Sequence, residues 1–139
     1  MSAGIPEIAV TDTHALIWWI TDQPRRLGRR ARAFFDAVDA GRAVACVPAI
    51  ALVELSEAVR DGDVSLGEPF ADFVERIEQT PSRYQIVPLT PAIVSRAHDL
   101  VAIPERGDRL VAATAAELGY PLITRDAEIL RVVGGEHVW

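Results

Sequence analysis

The sequence predicts a three-layer α/β/α sandwich with a mainly parallel central sheet, and three observations predict it. Short apolar runs recur along the chain, stretches with apolar residues at helical spacing follow them, and glycine or proline marks many of the joints. Strands that alternate with helices build a parallel sheet covered on both faces. With 139 residues and half of them hydrophobic, the chain has the length and apolar content of one domain with one core, expected to span residues 1–139.

Ile8 to Val10 is the first strand, and Ala15, Leu16, Trp18, Trp19 and Ile20 continue from it with helical spacing. A second helix is expected from Gly28 to Ala40, with Phe34, Phe35 and Val38 apolar and Gly41 as its stop. Ala43 to Val47 reads as a buried strand, and Pro48 opens a helix over Ala49 to Val59 that the Asp61, Gly62, Asp63 turn ends. A helix from Pro69 to Glu78 precedes a strand at Tyr84 to Val87. Thr90 and Pro91 begin a helix that reaches about Leu100. An alanine-rich helix runs from Asp108 to Leu118 and closes at Gly119. Leu122 and Ile123 form a short strand, Asp126 begins a helical turn, and His137 to Trp139 adds an edge strand.

Composition narrows the function. No stretch approaches the roughly 18 uninterrupted apolar residues of a membrane span, and the start MSAGIPEIAV lacks a signal peptide's charged and apolar regions, so a cytoplasmic protein without membrane contact is expected. Cys46 is the single cysteine, which excludes an internal disulfide or a cysteine-built zinc site and reads as a small core residue. A net charge of -6 argues against nucleic-acid binding by bulk attraction alone. All 14 basic residues are arginine, however, and Arg25, Arg26, Arg29, Arg30 and Arg32 crowd one segment. That segment is either a solvated helix face or a patch for RNA or a partner.

Four acids carry the chemistry: Asp12 in VTDTHAL, Glu54 in AIALVELSE, Asp108 in ERGDRLVAAT and Asp126 in LITRDAE. Asp12 and Asp126 fall at strand ends, where parallel sheets place their sites and where helix-capping aspartates also belong. Asp108 shares a stripe with Val111, Ala112 and Ala115, which favours a buried position over a solvent-facing cap. On the helix of Glu54, residues Ala51, Leu52, Leu55, Ala58 and Val59 define the apolar face. Glu54 lies roughly 100° from its centre and Glu57 roughly 160° away. Glu54 is therefore a border residue, whether packed by its stem alone or turned into a site. Converging carboxylates need a compensating cation, and oxygen-only ligands select Mg²⁺ or Mn²⁺ over zinc. His14, His98 and His137 show no metal-ligand spacing and read as surface or packing residues. A P-loop, a G-x-G-x-x-G fingerprint and a G-x-S-x-G elbow are all missing, which removes nucleotide-driven and serine-hydrolase chemistry.

Four stretches together resemble PIN-domain ribonucleases, particularly the VapC-type toxins of bacterial toxin-antitoxin pairs: DTHALIWWI at Asp12 to Ile20, VPAIALVEL at Val47 to Leu55, GDRLVAATA at Gly107 to Ala115 and PLITRD at Pro121 to Asp126. The resemblance implies a PIN-like fold and a Mg²⁺-dependent endoribonuclease, the toxin of a type II pair, with Asp12, Glu54, Asp108 and Asp126 as catalytic and metal-binding acids. Glu105 matches an extra acid often found ahead of the DRL motif. Thr13 and Thr124 match positions that orient a ligand or water, and serve equally as capping or turn hydroxyls. Where the family commonly reads DPFDR this chain reads ERGDR, which keeps the acids and changes the local loop. The resemblance further implies a homodimer, a cognate antitoxin laid along the groove, and an RNA substrate that is transfer, ribosomal or messenger RNA. Trp18, Trp19, Phe70 and Phe73 are candidates for an interface or for the core.

Two other readings compete. One is a non-catalytic PIN-like binding or assembly module, against which the complete set of acids weighs. The other is a receiver-like or phosphatase-like domain phosphorylated on aspartate. Those ordinarily use a lysine, which this chain lacks, and the phosphatases want a second aspartate where this chain has His14.

Overall fold

In the computed structural model, which describes residues 4–139, the expected alternation of strands and helices is borne out nearly element by element. Residues 1–3 of the expected domain span lie outside the described residues. The strands are β1 (Ile8–Thr11), β2 (Val44–Pro48), β3 (Tyr84–Val87), β4 (Leu122–Ile123) and β5 (His137–Val138). The helices are α1 (Thr13–Ile20), α2 (Arg29–Asp39), α3 (Ala49–Arg60), α4 (Phe70–Glu78), α5 (Pro91–Asp99), α6 (Arg106–Leu118) and α7 (Ala127–Val133), with a single 3₁₀ turn at Pro24–Arg26.

All five strands pair in parallel, in the order β3-β2-β1-β4-β5. The chain moves outward from β1 through β2 to β3, then crosses to the other side of β1 for β4 and β5. Strand order therefore reverses at β1, and a crevice opens beyond the carboxyl ends of β1 and β4. The register places Val10 beside Leu122 and Thr11 beside Ile123, so those two strands end together.

Period-two alternation splits the core between the two faces of the sheet. Ala9, Ala45 and Ile123 pack with Phe34, Phe35 and Val38 of α2 and with Ala15 and Trp18 of α1. Val10, Cys46 and Leu122 face the other way, onto Val111, Ala112 and Ala115 of α6 and Ile129 of α7. Burying each such large apolar side chain contributes roughly 1.5–3 kcal/mol. Alanines on the sheet-facing side of α6 allow the helix to lie close to the strands, which seats its first turn beside the crevice. Cys46 is buried as expected, and burial pushes its thiol up to about 11.

Trp18 and Phe73, weighed as interface residues, are buried in the core; Trp19 is half-buried and stacks on Phe35, and Phe70 is half-buried beside Phe73. No helix among the described residues is long and apolar enough to cross a membrane.

Candidate active site

The crevice at the strand ends is a cleft of about 740 Å³ lined by the acids Asp12, Glu105, Asp108 and Asp126 and also by His14, Trp18, Arg26 and Arg125. Thr124 and Ile129 complete it.

Asp12 is the first residue after β1, and its backbone N–H still donates to Ile123 in β4 (3.0 Å). One carboxylate oxygen accepts the Ala15 N–H (2.8 Å) and caps α1. Capping and a site role are thus compatible, because the bond occupies Oδ1 alone and Asp12 also lines the cleft. Burial drives the proton affinity of Asp12 up. Hydrogen bonds from the Thr124 hydroxyl and the Ala15 N–H pull it back, as does nearby His14, and Glu54 pushes it up again. Asp126 follows β4 and caps α7, with Oδ1 accepting from Glu128 N–H (3.0 Å). Its own N–H donates to the Thr124 hydroxyl oxygen (3.2 Å).

Glu54 occupies the border position on α3 that its helical angle predicts, half-buried while Glu57 is exposed. The buried Thr13 hydroxyl donates to its Oε1, tying α3 to the first turn of α1. The Glu54 carboxyl group also lies directly over the Cα of Gly107, where an added Cβ would meet it. Gly107 is thus a site residue that sequence reasoning passed over. The altered ERGDR loop was its signal, since a glycine in the first turn of a helix is unfavourable unless something approaches closely.

Helix α6 begins at Arg106, two residues before the expected start at Asp108. Asp108 consequently lies within the first turn and does not cap the helix; Glu105 stands at the cap position and makes no side-chain capping bond. Its stripe partners Val111, Ala112 and Ala115 are buried, as the spacing predicts. Asp108 is held above the usual carboxylate range by burial first, then by repulsion from Glu105, Glu54, Asp12 and Asp126. Asp12, Glu105, Asp108 and Asp126 line the same cleft, and Glu54 reaches the first turn of α6 at Gly107, so the scattered carboxylates do converge. Among the described residues, no three His, Cys, Asp or Glu side chains stand close enough together to hold a metal ion as they are placed. None of the five is within 4.0 Å of a basic side chain either.

Thr124 is buried at the base of the cleft and its carbonyl bonds His137 Nε2 (2.7 Å), which locks the β4 end to β5. His137 is therefore a packing residue as expected, whereas His14 is exposed and lines the cleft. The arginine-rich segment divides its labour. Arg30 reaches back to Glu136 (3.4 Å) and the His137 carbonyl, while Arg26 turns toward the cleft over Trp18.

A family model described as "PIN domain" matches residues 9–135. The chain is 29% identical over 123 residues to Ribonuclease VapC22 of Mycobacterium tuberculosis, covering 85% of this chain and 86% of that protein. Its fold is similar to that of VapBC2 from Rickettsia felis bound to a promoter DNA fragment (TM-score 0.65, 16% identity, 94% of this chain and 96% of that one). It is also similar to a toxin-antitoxin complex from Klebsiella pneumoniae (TM-score 0.56, 22% identity, 88% and 89% covered).

Proposed function

The chain belongs to the PIN-domain family, and from that premise we propose that it is a divalent-metal-dependent endoribonuclease that hydrolyses RNA phosphodiester bonds and serves as the toxin of a type II toxin-antitoxin pair. The observation that carries this reading is the gathering of Asp12, Glu105, Asp108 and Asp126 on one cleft at the sheet's switch point, with the Glu54 carboxyl group beside Gly107 in the first turn of α6. The similarity to a ribonuclease over most of both chains supports the reaction class. Likeness to a chain solved as a toxin-antitoxin complex supports a protein inhibitor, and the family resemblance supports a homodimer acting in the cytoplasm.

The donor set fits a hard cation. Every candidate ligand is a carboxylate oxygen, the group is partly desolvated, and no basic side chain among the described residues pairs with it. Asp12, Asp108 and Asp126 would hold Mg²⁺ or Mn²⁺, with Glu54 as a further ligand and Glu105 at the rim. When bound, such an ion supplies Lewis acidity at a phosphoryl oxygen and acidifies an attacking water. The chain's own work is positioning. Thr13 fixes one Glu54 oxygen, and Thr124 holds Asp12 and the Asp126 backbone. A carboxylate of the cluster accepts the water's proton.

The test is cleavage of total RNA with Mg²⁺ and with EDTA. The wild type should cut only with Mg²⁺, and Asp108→Asn should lose roughly 100- to 1,000-fold, the scale on which one electrostatic group of an active site acts. Equal cleavage by the two proteins would overturn the site assignment.

A further inference from the structure

The cleft that holds the acids is lined by cationic side chains as well. Arg26, from the 3₁₀ turn after α1, stands with its guanidinium carbon 4.8 Å from the Trp18 ring centroid. Arg125, from the loop after β4, stands 5.5 Å from the same centroid. Both arginines are exposed, both line the cleft, and Trp18 beneath them is buried at 7% exposure. Trp18 is fixed in turn by Trp139, packed edge-on at 6.1 Å, and lies 5.8 Å from His14.

This placement answers an electrostatic difficulty. Two mobile guanidinium groups beside five carboxylates would ordinarily collapse onto them and cancel both sets of charge. Here neither arginine lies within 4.0 Å of a carboxylate among the described residues. An indole ring attracts each guanidinium by about 0.5–1 kcal/mol at an exposed site and keeps it near Trp18. The cleft thereby keeps both sets of charge unpaired with each other, metal-binding acids and anion-binding forks. A guanidinium so held offers its N–H edge to a phosphate and its outer plane to an unstacked base.

We propose that Arg26 and Arg125, seated on Trp18, form a nucleotide-gripping wall that binds the phosphate and base next to the scissile bond of a single-stranded RNA. The proposal rests on the ribonuclease reading above and assigns these two arginines as positioning residues. They set where the strand lies relative to the acids.

The experiment uses the full chain and a fluorescein-labelled single-stranded RNA oligonucleotide. Binding is measured against salt concentration in the Asp108→Asn background, and KM and kcat are measured in the active protein. Arg26→Gln and Arg125→Gln should each flatten the slope of log affinity against log salt by about 0.7. Each should raise KM while leaving kcat close to wild type, and Arg→Lys at either position should keep the salt slope. Arg83→Gln, exposed on the far side of the sheet before β3, is the control and should change neither. Slopes and KM for Arg26→Gln and Arg125→Gln that match the Arg83→Gln control would overturn the assignment, whether or not thermal stability falls. Failure of every protein, the control included, to bind or cut RNA would overturn the ribonuclease reading and this inference together.

Discussion

At the scale of single residues, Gly107 and Glu54 decide how tightly the acidic cluster closes. Glycine in a helix ordinarily gives up about 0.5–1 kcal/mol relative to alanine. Here an added methyl would enter the space of the Glu54 carboxyl group. That group is the far end of a flexible side chain and can move aside. Gly107→Ala should therefore leave the melting temperature nearly unchanged or slightly raised, while displacing Glu54 and lowering RNA cleavage by roughly 10- to 100-fold, the range for disturbing a metal site's supports. Full activity together with raised stability would show that Glu54 has no need of that contact. The residue-level reading from sequence succeeded where a helical angle sufficed: the border position of Glu54 and the apolar stripe beside Asp108 both hold. It passed over Gly107 and Arg125 and named Arg26 only as one of an arginine cluster, because their placements depend on neighbours 53, 107 and 8 positions away, Glu54 for the first and Trp18 for the other two.

Among elements, α6 matters most, because it carries Asp108 and packs its alanines on β1 and β4. Ala112 is fully buried in that seam. Ala112→Leu would add three carbons where no space exists and should destabilise the fold by about 1–3 kcal/mol, read as a lower urea midpoint with an unchanged slope. Ala92→Leu on exposed α5 should stay within about 0.5 kcal/mol of wild type. Equal effects of the two would mean that α6 does not sit close to the sheet. Element boundaries were legible wherever glycine or proline punctuates the chain, as at Gly41, Pro48, Pro91 and Gly119. The start of α6 was not, because ERGDR carries no capping side chain to announce it and the helix simply begins at Arg106.

For the whole molecule, the acidic cleft sets activity against stability. Asp12 and Asp108 both have folded-state proton affinities raised above the usual value of 3.8, chiefly by burial. Between 3.8 and those raised values the folded chain holds more protons than the unfolded chain, so stability falls as pH rises through that window. Metal-free Asp108→Asn should therefore melt at a higher temperature than the wild type at pH 7 in EDTA, and the advantage should vanish below pH 3.8. Adding Mg²⁺ should reverse the order, since a ligand at 100 times its dissociation constant stabilises the native state by about 2.7 kcal/mol and the variant would bind it poorly. A wild type that melts higher than Asp108→Asn without metal would contradict the mutual repulsion of the acids.

The sequence by itself determined the alternation of strands and helices, the two-sided parallel sheet and the identity of the four acids, because periodicity, punctuation and residue type are local properties. It could not decide whether those acids were caps or a cluster, and Asp12 turned out to be a cap that also lines the cleft. Only the tertiary structure decided their convergence, through the reversal of strand order at β1 that brings the ends of β1 and β4 together beside the first turn of α6. Only it decided, too, that two arginines far apart in the chain share one tryptophan in the same cleft. The physical reason is common to both: electrostatic repulsion among carboxylates and cation attraction to an aromatic face act through a few ångströms of space, and the chain records no trace of that distance until it folds.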